Sequence, residues 1–205
     1  MKRRVVLVHG LWWGGFSMKL LGRRLGAAGF DVATFSYPTT RRSLAANAAA
    51  LHDFAGGLEA DQLDLVGYSL GGLVVLRLLD EFGDVPPGRV VLLGSPVNGS
   101  AVAERAAASR ALRPLVGQAG SALEAGFAHA PIGRETAVIA GTRPVGLGRL
   151  LGRMESPGDG MVTAAEARLE GALFRQMPVT HTGLVTAPSV SRLVARFLQT
   201  GRFDD

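Results

Sequence analysis

The chain has 205 residues, 47% of them hydrophobic and 19% charged, with 22 lysines and arginines against 17 aspartates and glutamates. That length suits one domain with a substantial core, and the lack of cysteine excludes disulfides, thiol nucleophiles and thiolate-held metals. The net charge of +5 rests mainly on arginines scattered through the sequence rather than clustered with aromatics, which argues against a nucleic-acid partner.

Met1-Lys2-Arg3-Arg4 followed by Val5-Val6-Leu7-Val8 imitates a leader, but the apolar run stops at His9-Gly10, too short for the hydrophobic core of a signal peptide. No window reaches the roughly 18 apolar residues of a membrane span. Both points predict a cytoplasmic protein without an integral membrane segment.

Short β-branched runs alternate with longer alanine- and leucine-rich stretches, the pattern of βαβ units on a parallel sheet. A first strand over Arg4–Val8 precedes a helix over Ser17–Ala28, ended by Gly29. Asp31–Phe35 is the second strand, and Ser43 caps a helix running to Ala55. Leu63–Val66 is the third strand, followed by a helix over Leu70–Phe82. The turn Pro86-Pro87-Gly88 introduces a fourth strand, Arg89–Leu93. Thr136–Ala140 and Leu173–Pro178 complete the set, and a helix over Ser189–Leu198 closes the chain. Continuous apolar strands such as Val90-Val91-Leu92-Leu93 call for a sheet covered on both faces.

Residues 98–133 break this rhythm. Val102–Leu112 reads as a helix, and the segment is either a small cap or an ordinary crossover with a ragged loop. Without repeats or linkers to divide it, the chain reads as a single domain over 1–205.

The strand Leu63–Val66 runs straight into Gly67-Tyr68-Ser69-Leu70-Gly71-Gly72 and then a helix. Strand, G-x-S-x-G, helix is the setting of a nucleophile elbow, whose tight turn forces the serine backbone into strain and requires small neighbours. A serine hydroxyl is a weak nucleophile until a base takes its proton and a third group orients that base. In this setting the acid and then the histidine follow the serine along the chain. His181, in a loop between the last strand and the last helix, fits the base; His52 and His129 lie in a helix and in the irregular segment. Asp159, in a turn-rich loop after the fifth strand, fits the acid, with Glu155 as its nearest substitute. The backbone N–H of Leu70 and one from the loop His9-Gly10-Leu11-Trp12-Trp13-Gly14-Gly15 would hold a developing oxyanion. Leu11 is the second donor of choice, Trp12 the alternative donor or an apolar wall, and His9 a brace for the loop.

Four motifs resemble those of the α/β-hydrolases, specifically the small lipases and esterases: His9-Gly10, the hexapeptide 67–72, Asp159-Gly160-Met161-Val162 and His181-Thr182-Gly183-Leu184. A fifth, Ser95-Pro96-Val97-Asn98-Gly99-Ser100, resembles a segment beside the active site of many lipases, with serine and valine where Thr-Pro-His has threonine and histidine. The resemblance implies an α/β-hydrolase fold with a minimal six-stranded, mostly parallel sheet in the order 2-1-3-4-5-6, helices on both faces and a small or absent cap. It implies ester cleavage through an acyl-enzyme by Ser69, His181 and Asp159, with no metal or cofactor. An acyltransferase or thioesterase using the same triad, or a non-catalytic binding protein on this fold, are the other readings. Trp12, Trp13, Phe16, Tyr68, Val97 and Met161 would wall the pocket, suiting a small-molecule ester with an apolar acyl group.

Overall fold

Val5, Val6, Leu7 and Val8 are all fully buried. A strand sends alternate side chains to opposite faces, so such a run is stable only between two hydrophobic layers. The computed structural model describes residues 2–12, 14–111, 114, 117–120, 126–145 and 157–203. In it, β1 (Arg3–Val8), β2 (Asp31–Phe35), β3 (Gln62–Tyr68), β4 (Val90–Leu93), β5 (Thr136–Gly141) and β6 (Leu173–Met177) form one sheet. The order is β2-β1-β3-β4-β5-β6, and every neighbouring pair is parallel.

Helices α1 (Lys19–Ala27), α5 (Gly183–Thr186) and α6 (Pro188–Thr200) cover one face, where Val5, Leu7, Val91 and Leu93 meet Leu21, Leu25, Val194 and Phe197. Helices α2 (Leu44–Gly56), α3 (Leu70–Glu81) and α4 (Ala101–Ala108) cover the other, where Val6, Val8, Val90 and Leu92 meet Leu51, Leu73, Val74 and Ala103. Each strand thus divides its own side chains between two cores. Among the described residues no helix is long and apolar enough to cross a membrane.

The chain leaves β1 for the outer strand β2, then returns past β1 to β3. The loops after β1 and β3 therefore run in opposite directions from adjacent strands, and a crevice opens beyond their carboxyl ends. That crevice receives His9–Trp12 from one side and Ser69 from the other.

At the amino ends of the strands the packing is ionic. Asp64 of β3, fully buried, accepts hydrogen bonds from Arg3 Nε and the Arg89 amide, each at 2.7 Å. Both guanidinium groups also donate to Leu198 O, and Arg89 reaches Gln199 O. Carbonyls in the last turn of a helix lack intrahelical donors and carry the negative end of its dipole, so two cations here satisfy both needs.

Four local differences from the sequence reading have physical causes. The first two residues of the expected first helix, Ser17 and Met18, belong instead to a tighter 3-10 turn, Gly15–Met18, fixed by Ser17 Oγ donating to Gly14 O. β3 continues to Tyr68 because its pairing with β4 runs on to Leu93. α4 stops at Ala108, where Ser109 turns to an extended backbone; Leu112 of the expected helix lies outside the described residues. Helix α5, which no periodicity announced, is a single turn started by Thr180 Oγ1 accepting from the Gly183 amide.

Candidate active site

Ser69 sits between β3 and α3 with φ +53° and ψ −123°, backbone angles that strongly disfavour a side chain. Its own amide donates to Leu93 O at the end of β4 (2.9 Å), which fixes the turn against the sheet. The crowding explains the flanking glycines. A Cβ on Gly67 would stand 2.7 Å from Gly72 N, and one on Gly71 would overlap the Val8 and His9 carbonyls. α3 can therefore start directly over the carboxyl ends of β1 and β3, with its positive end beside Ser69.

Asp159 and His181 arrive from the other side of the crevice. His181 Nδ1 lies 2.7 Å from Asp159 Oδ2, with the carboxylate 1% and the imidazole 12% exposed. Asp159 Oδ1 accepts from the Met161 and Val162 amides (2.9 and 2.8 Å), and the His181 amide donates to Asp159 O (3.0 Å). Every carboxylate oxygen thus has a donor, the condition for burying a charge. With Nδ1 engaged, Nε2 is the ring nitrogen left for proton transfer. Among the described residues no hydrogen bond yet joins Ser69 Oγ to this imidazole; such contacts tighten in the reacting complex.

Two glycines that sequence reasoning overlooked make room for the pair. Gly94, at the end of β4, has φ +55°, and a Cβ there would stand 3.0 Å from Asp159 Oδ2 and 3.2 Å from His181 Cε1. A Cβ on Gly141, the last residue of β5, would stand 2.7 Å from Asp159 Cβ. Both follow apolar strand runs directly, and that position was the available signal. Glu166 supports the acid loop, accepting from the Thr163 amide and hydroxyl and from the Ala101 amide at the start of α4. Asn98, in the motif after β4, donates to Ala165 O and Arg168 O and holds the same loop.

The loop after β1 is braced by His9, which is 1% exposed. Its Nδ1 faces Gly10 O (2.9 Å), Tyr37 N–H donates to its Nε2 (3.3 Å), and its ring stacks on Tyr37 at 4.6 Å. This pattern requires a neutral ring protonated at Nδ1, and burial accordingly lowers the pKa of His9. Burial likewise raises that of Tyr68, whose ring lies 4.9 Å from that of His181. Trp12 is the second non-glycine residue at positive φ (+66°), and its amide donates to Thr39 Oγ1 (3.3 Å). Among the described residues the Leu11 and Leu70 amides donate to no protein acceptor.

The expected pocket residues separate. Phe16 and Tyr68 line a cavity beside His181; Val97 is fully buried and Met161 half-buried against the α2–α3 core; Trp12 is 51% exposed. Trp13 and Glu155 lie outside the described residues. Among the described residues no group of three acidic or histidine side chains is arranged to hold a metal ion.

The chain aligns over 98% of its length with the structure of Bacillus licheniformis lipase BlEst2 in mature form, at TM-score 0.74 and 22% identity, covering 92% of that chain. A metagenomic carboxyl esterase, MGS0156, superposes at TM-score 0.69 and 21% identity, over 98% of this chain and 75% of that one. The NocB thioesterase domain from the Nocardicin cluster superposes at 0.61 and 19% identity, over 97% and 95%. These identities carry the fold and no further. No curated protein matches the sequence. A family model described as the alpha/beta hydrolase family matches residues 5–201, so the chain belongs to the alpha/beta hydrolase family.

Proposed function

We propose that the chain is a serine hydrolase of carboxylic esters, working as a single domain. The observation that carries this reading is the buried Asp159–His181 hydrogen bond of 2.7 Å beside a serine held in a strained elbow. Ser69 Oγ attacks the ester carbonyl while His181 Nε2 takes its proton. Asp159 holds the ring in the tautomer that leaves Nε2 free and stabilises its positive form. The Leu11 and Leu70 amides donate to the oxyanion; Trp12 is the weaker choice, since its amide is engaged by Thr39. The tetrahedral intermediate collapses as His181 returns the proton to the leaving oxygen, giving an acyl-serine and an alcohol. Water then repeats the sequence, releasing the acid and restoring Ser69. Leu11 and Met161, half-buried against the α2–α3 core, offer apolar surface to the acyl group.

The test is labelling with a fluorophosphonate and hydrolysis of p-nitrophenyl esters from acetate to palmitate. Ser69 is expected to take the label, and Ser69→Ala to lose about 10⁴-fold or more in kcat. Folded protein that stays unlabelled, or a Ser69→Ala variant that keeps its turnover, would end this reading. Running a thioester in parallel separates the ester from the thioester preference.

A further inference from the structure

A cavity of about 350 Å³ lies between the start of α1 and the His181–α5 segment. Tyr68, which precedes Ser69 and whose ring contacts His181, forms part of its wall; Thr182, next to His181, forms another. On the mechanism proposed above, His181 hands its proton to the leaving oxygen, so the leaving group must lie on the histidine side of Ser69. The cavity adjoins the site through Tyr68 and Thr182, the chain neighbours of Ser69 and His181.

Its charge is one-signed. Lys19 and Arg23, one helical turn apart on α1, both line it, between the apolar side chains of Leu20 and Val185. Among the described residues no acidic side chain lines the cavity, and none lies in the first turn of α1. Lys19 is the first residue of that helix, where the dipole is already positive, and like charges four residues apart disfavour a helix. Three cations elsewhere in the fold do have acidic partners: Arg3 has Asp64, Arg77 has Glu81 and Arg89 has Glu135. Among the described residues Lys19 and Arg23 have no ion pair. Arg24, beside them, is turned away: it donates to Thr186 O and Ser191 Oγ, which ties α1 to α5 and α6 and keeps the cavity walls in place.

We propose that this cavity is a leaving-group subsite for esters whose alcohol portion carries an anionic group such as a carboxylate. Lys19 and Arg23 supply the countercharge, and Leu20 and Val185 pack on the carbon frame. The enzyme then prefers esters that release a negatively charged alcohol. This inference rests on the assignment of His181 as the proton donor.

The test separates the two. In the Ser69→Ala protein, binding of 4-hydroxybenzoate and of its neutral methyl ester is followed by NMR titration, a readout that needs no catalysis. The anion is expected to bind about tenfold more tightly or better, and Arg23→Glu in the same background to remove that preference. Arg77→Glu, an equal charge change on the opposite face of the sheet, is expected to keep it. In the active protein the ratio of kcat/KM for 4-acetoxybenzoate over its methyl ester is expected to fall about tenfold in Arg23→Glu, through KM. Equal binding of both probes, no binding of either, or equal effects of Arg23→Glu and Arg77→Glu would overturn the subsite. Loss of all Ser69-dependent turnover with the binding preference intact would instead overturn the hydrolase reading and leave an anion-binding cavity.

Discussion

The two ends of the sheet each bury an aspartate, and the two are used differently. Asp64, fully buried at the amino end of β3, faces the Arg3 guanidinium, and both belong to a network that holds the end of α6. Asp159, 1% exposed beyond the carboxyl end of β5, faces the His181 imidazole, whose other ring nitrogen is left for proton transfer. Among the described residues the non-glycine positions of positive φ, Ser69 and Trp12, both lie at the carboxyl end, and there the Leu11 and Leu70 amides donate to no protein acceptor. Burial of a carboxylate therefore says little by itself. Its partner decides whether the charge is a fastening or a tool.

The sharpest way to break this comparison is to neutralise each aspartate in turn. Asp159→Asn keeps an oxygen for the Met161 and Val162 amides, so the fold should hold while kcat falls about 10⁴-fold through the wrong histidine tautomer. Kinetics on a p-nitrophenyl ester together with a urea midpoint checks both halves; a near-normal rate would move the acid to another residue. Asp64→Asn should do the reverse. It leaves Arg3 Nε facing an amide and should cost about 2–3 kcal/mol of stability, while kcat per folded molecule stays within about a factor of two. A large loss of kcat in that variant would mean that the two ends are coupled.

A smaller effect concerns pH. Burial lowers the pKa of His9 from its ordinary 6.5, so between that value and the lowered native one the unfolded chain binds the extra proton and the native state does not. Stability is then undiminished above pH 6.5 and declines as pH falls below it. Urea midpoints at about pH 7.5 and about pH 5.5 should show a larger drop for the wild type than for His9→Gln. Equal drops would place the cause in another group.

Legibility in the sequence followed the range of the interaction. The central strands came through because each is an apolar run whose alternate residues feed two cores, a signal contained within four to six residues; their order came only with the resemblance to the α/β-hydrolases. The elbow came through because its crowding falls on Gly67, Gly71 and Gly72, adjacent in the chain. Asp159 and His181, 22 residues apart, were paired by chain order; the structure puts them in contact, and their roles rest on the proposal above. The space they occupy was hidden, since Gly94 and Gly141 are close to them only in three dimensions. Lys19 and Arg23 carried no signal either, because the cavity they line is assembled only in the fold, with Tyr68, Thr182 and Val185. Val97, an expected pocket wall by its apolar side chain, is wholly buried, and the visible work of its segment is done by Asn98 and Ser100, which tie down the acid loop and cap α4.

The strand order also bears on how the chain is made. Synthesis delivers β1 to β4 first, and those four neighbours already contain the elbow, the loop after β1 and the Leu93 carbonyl that pins Ser69. Asp159 and His181 are delivered only with the last quarter of the chain, and they meet over Gly94 and Gly141 once β5 has paired with β4. On the proposed mechanism a nascent or truncated polypeptide carries its nucleophile in place but unactivated, so turnover is itself an assay for completed folding.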